Sequence, residues 1–156
     1  MIEILKANND DHTILTEITK KSKAYWGYSD EQMNAWNEAL TIKEEYIQNN
    51  EVYKLLNNSS TVAYYSYFSI YENTVKLDNL FVLPNEIGKG YGKLLMSDFI
   101  LKIKKSGKSK IILDADSNAE KFYESFGFTK IGQIETSIQN RFLPIMVLQL
   151  DTIFDK

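Results

Sequence analysis

The 156-residue chain contains no cysteine and a single histidine, His12. The first absence excludes a thiolate nucleophile, a cysteine-built zinc site and any disulfide framework, and it gives no sign of an oxidising compartment. The second removes the H-x-x-x-H spacing of zinc hydrolases, and no His or carboxylate pair stands at ligand spacing, so no metal is expected. There is no G-x-S-x-G, which leaves serine acyl chemistry without a foothold. No apolar run approaches the roughly 18 residues needed to span a bilayer. The opening MIEILKANNDD also lacks the basic and apolar regions of a signal peptide. A cytoplasmic protein with no membrane partner is the expectation.

Excess charge of one sign is also missing. A net charge of -3 argues against a general nucleic-acid binder. The local cluster KIKKSGKSK (102–110) is a solvated helix end whose lysines complement the dipole. What is present is ordinary globular material, with 44% hydrophobic and 25% charged residues and an aromatic share of 13% that includes ten tyrosines. This length buries a core without staples, so one domain over residues 1–156 is expected.

IEILKA (2–7) alternates like a strand, and Ile14, Leu15 and Ile18 place a helix from Asp10 to about Tyr25, with Asp10 or Asp11 as its cap. YSDEQMNAWNEAL (28–40) predicts a second helix, opened by a Ser29/Gln32 capping box with Met33, Trp36 and Leu40 along one face. Thr41 and Glu44 open a short third helix to about Asn49. EVYKLLNN, STVAYYSYFSI and TVKLDNLFVL then predict an antiparallel meander. Leu94, Leu95, Met96, Phe99, Ile100 and Ile103 recur at helical spacing until Gly107. A buried strand SKIILDA follows, then a short helix SNAEKFYESFG closed by Gly127, and a last strand pair, FTKIGQIE and RFLPIMVLQL. The fold class is mixed α+β.

Between the third meander strand and the long helix lies LPNEIGKGYGK, with glycines at 88, 90 and 92. Backbone free of Cβ atoms lets several amides converge at a helix start, where the dipole end is positive, and such a concavity suits phosphate. Lys89 and Lys93 add screening charge. A Walker loop fails because Leu94 stands where Ser or Thr is needed and Ile87 where Gly is needed. The G-x-G-x-G spacing and its mid-chain position also weaken a dinucleotide fingerprint. A purely structural turn stays open.

LDNLFVLPNEIGKGYGKLLM resembles motif A of the GCN5-related N-acetyltransferase (GNAT) superfamily, in which a strand ending V-x-P leads into a Q/R-x-x-G-x-G/A loop and a long helix. DADSNAEKFYESFGF (114–128) resembles its motif B, and the two stand in the family's order and spacing. The resemblance implies a mixed, mostly antiparallel sheet of six or seven strands with helices on both faces. It also implies that the backbone of Ile87, Gly88, Lys89, Gly90, Tyr91, Gly92 and Lys93 holds the pyrophosphate of acetyl-coenzyme A. Ile87 departs from the family's Gln or Arg, so a side-chain contact from that position is lost.

The same resemblance assigns roles elsewhere. Tyr123 matches the general acid near the cofactor sulfur; its bland alternative is a core aromatic beside Phe122 and Phe126. Asn118 matches a residue bonding the pantetheine arm, and taken alone it is a helix cap. Asp78 stands where many members carry a Glu base, or is a surface Asp. It shares a strand face with Leu80, while Asn79 shares the other with Phe81. Leu80, Phe81 and Val82 would meet the pantetheine through backbone freed by a bulge. Tyr25, Trp26, Tyr28 and Trp36 would line the acceptor pocket or simply fill core, and Arg141 would suit an acceptor bearing a carboxylate. His12 lies far from both motifs.

The expected activity is acetyl-coenzyme A dependent N-acetyl transfer to a primary amine of a small molecule or peptide, by direct attack in a ternary complex. A non-catalytic acyl-coenzyme A binding module on the same fold is the rival. A homodimer is one assembly open to either.

Overall fold

A computed structural model describes residues 1–136 and 141–150. The elements in chain order are β1 (Ile2–Lys6), α1 (His12–Tyr25), α2 (Asp30–Ala35), α3 (Glu44–Asn49), β2 (Glu51–Asn57), β3 (Ser60–Tyr71) and β4 (Thr74–Val82). Then come α4 (Tyr91–Ser106), β5 (Lys110–Asp114), α5 (Glu120–Glu124), β6 (Thr129–Glu135) and β7 (Phe142–Gln149). The seven strands form a sheet in the order β1-β2-β3-β4-β5-β7-β6. The β1–β2, β2–β3, β5–β7 and β6–β7 pairs are antiparallel, and β4–β5 is parallel. A parallel pair requires a crossover, and α4 provides it. The mixed, mostly antiparallel sheet is the one expected, with the larger of the two strand counts.

The chain divides into two compact units. The first comprises Met1–Tyr67 and Asn79–Asp98, and the second Phe68–Asp78 with the described residues from Phe99 onward. In the first unit the alternation of β3 sorts its tyrosines. Tyr64 points into a core with Leu15, Ile18, Ile42, Ile47 and Val52, against which Phe81 and Leu83 pack. Each such buried side chain contributes roughly 1.5–3 kcal/mol. Tyr65 points to the opposite face, where its hydroxyl donates to Asp98 Oδ2 of α4 at 2.7 Å. Tyr53, which pairs with Tyr65 across β2–β3, and Tyr67 complete a stack of three rings. Its centroids lie 5.4 to 6.4 Å apart and its planes within 21°. In the second unit Val75, Ile103, Ile111, Leu113 and Met146 are buried.

Two helix starts and one helix end differ from the sequence expectation. Asn8, not Asp10 or Asp11, caps the entry to α1. Its side chain accepts from Asp10 N at 3.2 Å while Asp11 Oδ2 accepts from Asn8 N at 2.9 Å, a reciprocal box around the turn Asn9–Asp11. Ser29 does cap α2, accepting from Gln32 N at 3.1 Å, but α2 ends at Ala35. Beyond it, three-residue bonds such as Asn37 N to Asn34 O are mixed with four-residue bonds such as Leu40 N to Trp36 O. Thr41 does not open α3, because its hydroxyl is spent on Asn37 O at 2.7 Å; α3 begins at Glu44 with no side-chain cap.

Candidate active site

In the first unit, Leu83 follows β4 and precedes the turn Pro84–Glu86, which leads into the glycine loop. Gly88 and Gly90 sit at φ +93° and +84°, left-handed values that a side chain makes costly. The space beside both is open, since a Cβ at either would meet no atom within 4 Å. The six backbone N–H groups from Gly88 to Lys93 donate to no acceptor among the described residues. The next amide, Leu94 N, begins the helical ladder by bonding Gly90 O at 3.1 Å. Unpartnered amides at the positive end of a 16-residue helix are the kind of donors an anion would need. Lys89 is tied to Glu86 at 3.1 Å, Lys93 is exposed, Tyr91 is buried and the Ile87 side chain is half exposed.

Along β4, Leu80, Phe81 and Val82 are half-buried. The Val82 carbonyl accepts from Ser22 Oγ of α1 at 2.9 Å, so one of the backbone groups expected to be free already has a partner. Asn79 turns to the same side as Phe81, where its Nδ2 donates to Tyr46 Oη and Ser66 Oγ. The exit of α1 and the α2 segment carry the aromatics. Tyr25 and Trp26 are exposed and meet edge-on at 5.2 Å. Tyr28 and Trp36 form a second edge-on pair at 4.9 Å, with the Lys23 ammonium 6.0 and 5.7 Å from their ring centres.

In the second unit, Tyr123 on α5 is buried, its ring set edge-on against Phe122 and Phe128. Burial first, and then the nearby Asp116 carboxylate, push its phenol well above the ordinary tyrosine range. Its hydroxyl has no hydrogen-bond partner among the described residues, and the oxygen is not sealed from solvent. Asp116 is the cap of the turn Ser117–Ala119, accepting from both N and Nδ2 of Asn118 at 2.9 Å. Asn118 is thus capped rather than capping. Asp116 Oδ2 also accepts from Arg141 Nη2 at 3.0 Å, and Asp78 is exposed.

The sequence from 26 to 148 matches the family model "Acetyltransferase (GNAT) domain". The chain belongs to the GNAT family. Solved GNAT structures share its fold. The PaiA N-acetyltransferase of Thermoplasma acidophilum, solved with coenzyme A, is 21% identical, with a TM-score of 0.79 over 96% of this chain and 99% of that one. A GCN5-related N-acetyltransferase of Rhodopseudomonas palustris is 20% identical, with a TM-score of 0.79 over 95% of each chain. YncA of Salmonella typhimurium, solved with its cofactor acetyl-CoA, is 24% identical, with a TM-score of 0.70 over 97% of this chain and 95% of that one. A comparison with curated protein sequences finds no match.

Within this GNAT domain residues 87–93 run from the turn Pro84–Glu86 into the first turn of α4, and three side chains that the sequence expectation did not name meet beside β4. Tyr46, Ser66 and Asn79 come from three separate elements, and only the alternation that pairs Asn79 with Phe81 hinted at the meeting. Asp116 was also missed, although an Asp two residues ahead of Asn118 is an N-cap pattern. Among the described residues no group of three or more His, Asp or Glu is placed to hold a metal, and no helix is long and apolar enough to cross a membrane.

Proposed function

We propose that this GNAT domain, taken as one catalytic unit over residues 1–156, transfers the acetyl group of acetyl-coenzyme A to a primary amine of a small molecule or peptide. The observation that carries the reading is the run of six unpartnered amides from Gly88 to Lys93 beside the open space at Gly88 and Gly90. A pyrophosphate fits that donor set without any side chain, which makes the exposed Ile87 compatible with binding. Leu80, Phe81, Val82 and Asn118 would hold the pantetheine arm; the Asn118 carboxamide oxygen has no partner among the described residues and can accept a bond.

Transfer needs a neutral amine, whose lone pair forms the N–C bond as the C–S bond breaks. The sulfur leaves as thiolate and takes one proton, and the amine gives one up. In this reading the Tyr123 hydroxyl supplies the sulfur's proton. It is supported by a phenol held protonated far into the alkaline range and by an oxygen that no described residue engages. Asp78 is the proposed base, and its exposure is consistent with taking the proton through water. Tyr25, Trp26 and Tyr28 are the proposed acceptor wall. Because Arg141 is already bonded to Asp116, we read the acceptor as recognised by its amine rather than by a carboxylate.

The test is a thiol-release assay with acetyl-coenzyme A against a panel of amines, amino acids and peptides. Thiol released in step with an acetylated amine supports the reading. Tight coenzyme A binding without release from any acceptor would replace it with the acyl-coenzyme A binding module.

A further inference from the structure

Tyr46 on α3, Ser66 on β3 and Asn79 on β4 close a triangle inside the first unit. Asn79 Nδ2 lies 3.2 Å from Tyr46 Oη and 3.0 Å from Ser66 Oγ, and the two hydroxyl oxygens are 2.8 Å apart. Ser66 is completely buried.

Counting hydrogens fixes which end of the Asn79 carboxamide faces inward. The amide nitrogen brings two N–H and each hydroxyl brings one. With nitrogen inward, the N–H groups feed the two hydroxyl oxygens, one hydroxyl hydrogen makes the third side, and all three bonds form. With oxygen inward, every side of the triangle would need a hydroxyl hydrogen, and only two exist for three bonds. The carboxamide is therefore anchored by its nitrogen, and Oδ1 faces away from both hydroxyls. Among the described residues Oδ1 has no hydrogen-bond partner, and it is not sealed from solvent. This strand position immediately precedes Leu80, Phe81 and Val82.

Resting on the acetyltransferase reading above, we propose that Asn79 Oδ1 accepts an N–H of the acceptor amine and so orients its lone pair, with Tyr46 and Ser66 as positioning residues. The chemistry suits a nucleophile that has to be neutral. An amide oxygen aligns an N–H without the charge by which a carboxylate would hold the amine as ammonium. The arrangement also sets specificity. A neutral primary amine has two N–H, one for Oδ1 and one to give up on transfer, whereas its N-methyl analogue has only one for both. Asn79 thus makes the site select primary over secondary amines.

The test compares initial rates for a primary amine found active in the panel and for its N-methyl analogue. Asn79→Leu should raise KM for the primary amine about tenfold or more, the scale of one lost hydrogen bond, while KM for acetyl-coenzyme A moves less than about twofold. The preference for the primary amine should shrink with it. Tyr46→Phe combined with Ser66→Ala should do the same while leaving the carboxamide in place. Asn79→Asp should keep the acceptor KM low but shift the rising limb of kcat/KM to higher pH by about one unit, because the carboxylate stabilises ammonium. Unchanged acceptor KM and amine preference in a folded Asn79→Leu protein would overturn the proposal. If Asn79→Leu does not fold, an unshifted pH profile in Asn79→Asp does so. A wild-type chain that releases no thiol with any amine removes both this inference and the reading it rests on. Turnover indifferent to Asn79 removes this inference alone.

Discussion

Arg141 Nη2 donates to Asp116 Oδ2 at 3.0 Å while Asp116 Oδ1 accepts from Asn118 N, so one carboxylate ties the residue before β7 to the turn ahead of α5. Both charged side chains are largely buried, at 12% and 14% exposure. Removing the cation leaves a carboxylate poorly solvated, which costs more than the pair itself contributes. Arg141→Met should destabilise the chain by about 1–3 kcal/mol in urea denaturation. Combining it with Asp116→Asn, which keeps a capping side chain, should recover part of that loss.

The two kinds of loop glycine should respond differently to alanine. Gly90 holds φ +84°, so Gly90→Ala should cost about 1–2 kcal/mol in backbone strain, even though the Cβ meets nothing. Gly92 lies in the first turn of α4, where alanine is favoured by about 1 kcal/mol. Gly92→Ala should therefore melt no lower than wild type. If the pyrophosphate approaches this backbone closely, its coenzyme A affinity should still fall about tenfold or more. Calorimetry for melting and titration for affinity separate the two effects.

Stability should fall as pH rises past about 10. Burial, then the Glu51 and Asp98 carboxylates, push Tyr67 up to about 12. Burial also leads the upward shifts of Tyr65 and Tyr123. A raised phenol binds its proton more tightly in the folded chain than in the unfolded one. The contribution is complete below the unfolded value near 10 and is lost as pH climbs towards the folded value. Tyr123→Phe should reduce the fall, measured by urea midpoints above about pH 10.5, by up to roughly 1.4 kcal/mol per pH unit.

The same shift makes a kinetic prediction. A general acid that stays protonated should impose no loss of rate between about pH 8 and 10, where an ordinary phenol begins to ionise. Tyr123→Phe should lower kcat about 100-fold or more while sparing coenzyme A affinity. Rates within about twofold of wild type would assign the proton to another donor.

Most of the element order was legible because it is written in local pattern. The alternation of β2 to β4, the helical spacing from Leu94 to Ile103 and the glycine-rich turn each depend on neighbours in sequence. The caps were less legible because acceptors compete. Thr41 has the right chemistry to open α3, but Asn37 O reaches its hydroxyl first. The triangle of Tyr46, Ser66 and Asn79 was invisible for a stronger reason: its members are up to 33 positions apart, and no local pattern records their meeting. Arg141 was legible as a cation, but its partner was not, because Asp116 lies 25 residues away.

The stack of Tyr53, Tyr65 and Tyr67 also has an optical consequence. Three nearly parallel phenols held by β2 and β3 couple their near-ultraviolet transitions, so their circular dichroism reports whether those strands are paired. Both tryptophans, Trp26 and Trp36, lie instead just beyond α1 and α2. Tryptophan emission and tyrosine dichroism therefore watch different parts of the native chain. Changes around the two tryptophans can be followed apart from the integrity of the sheet, without attaching a label.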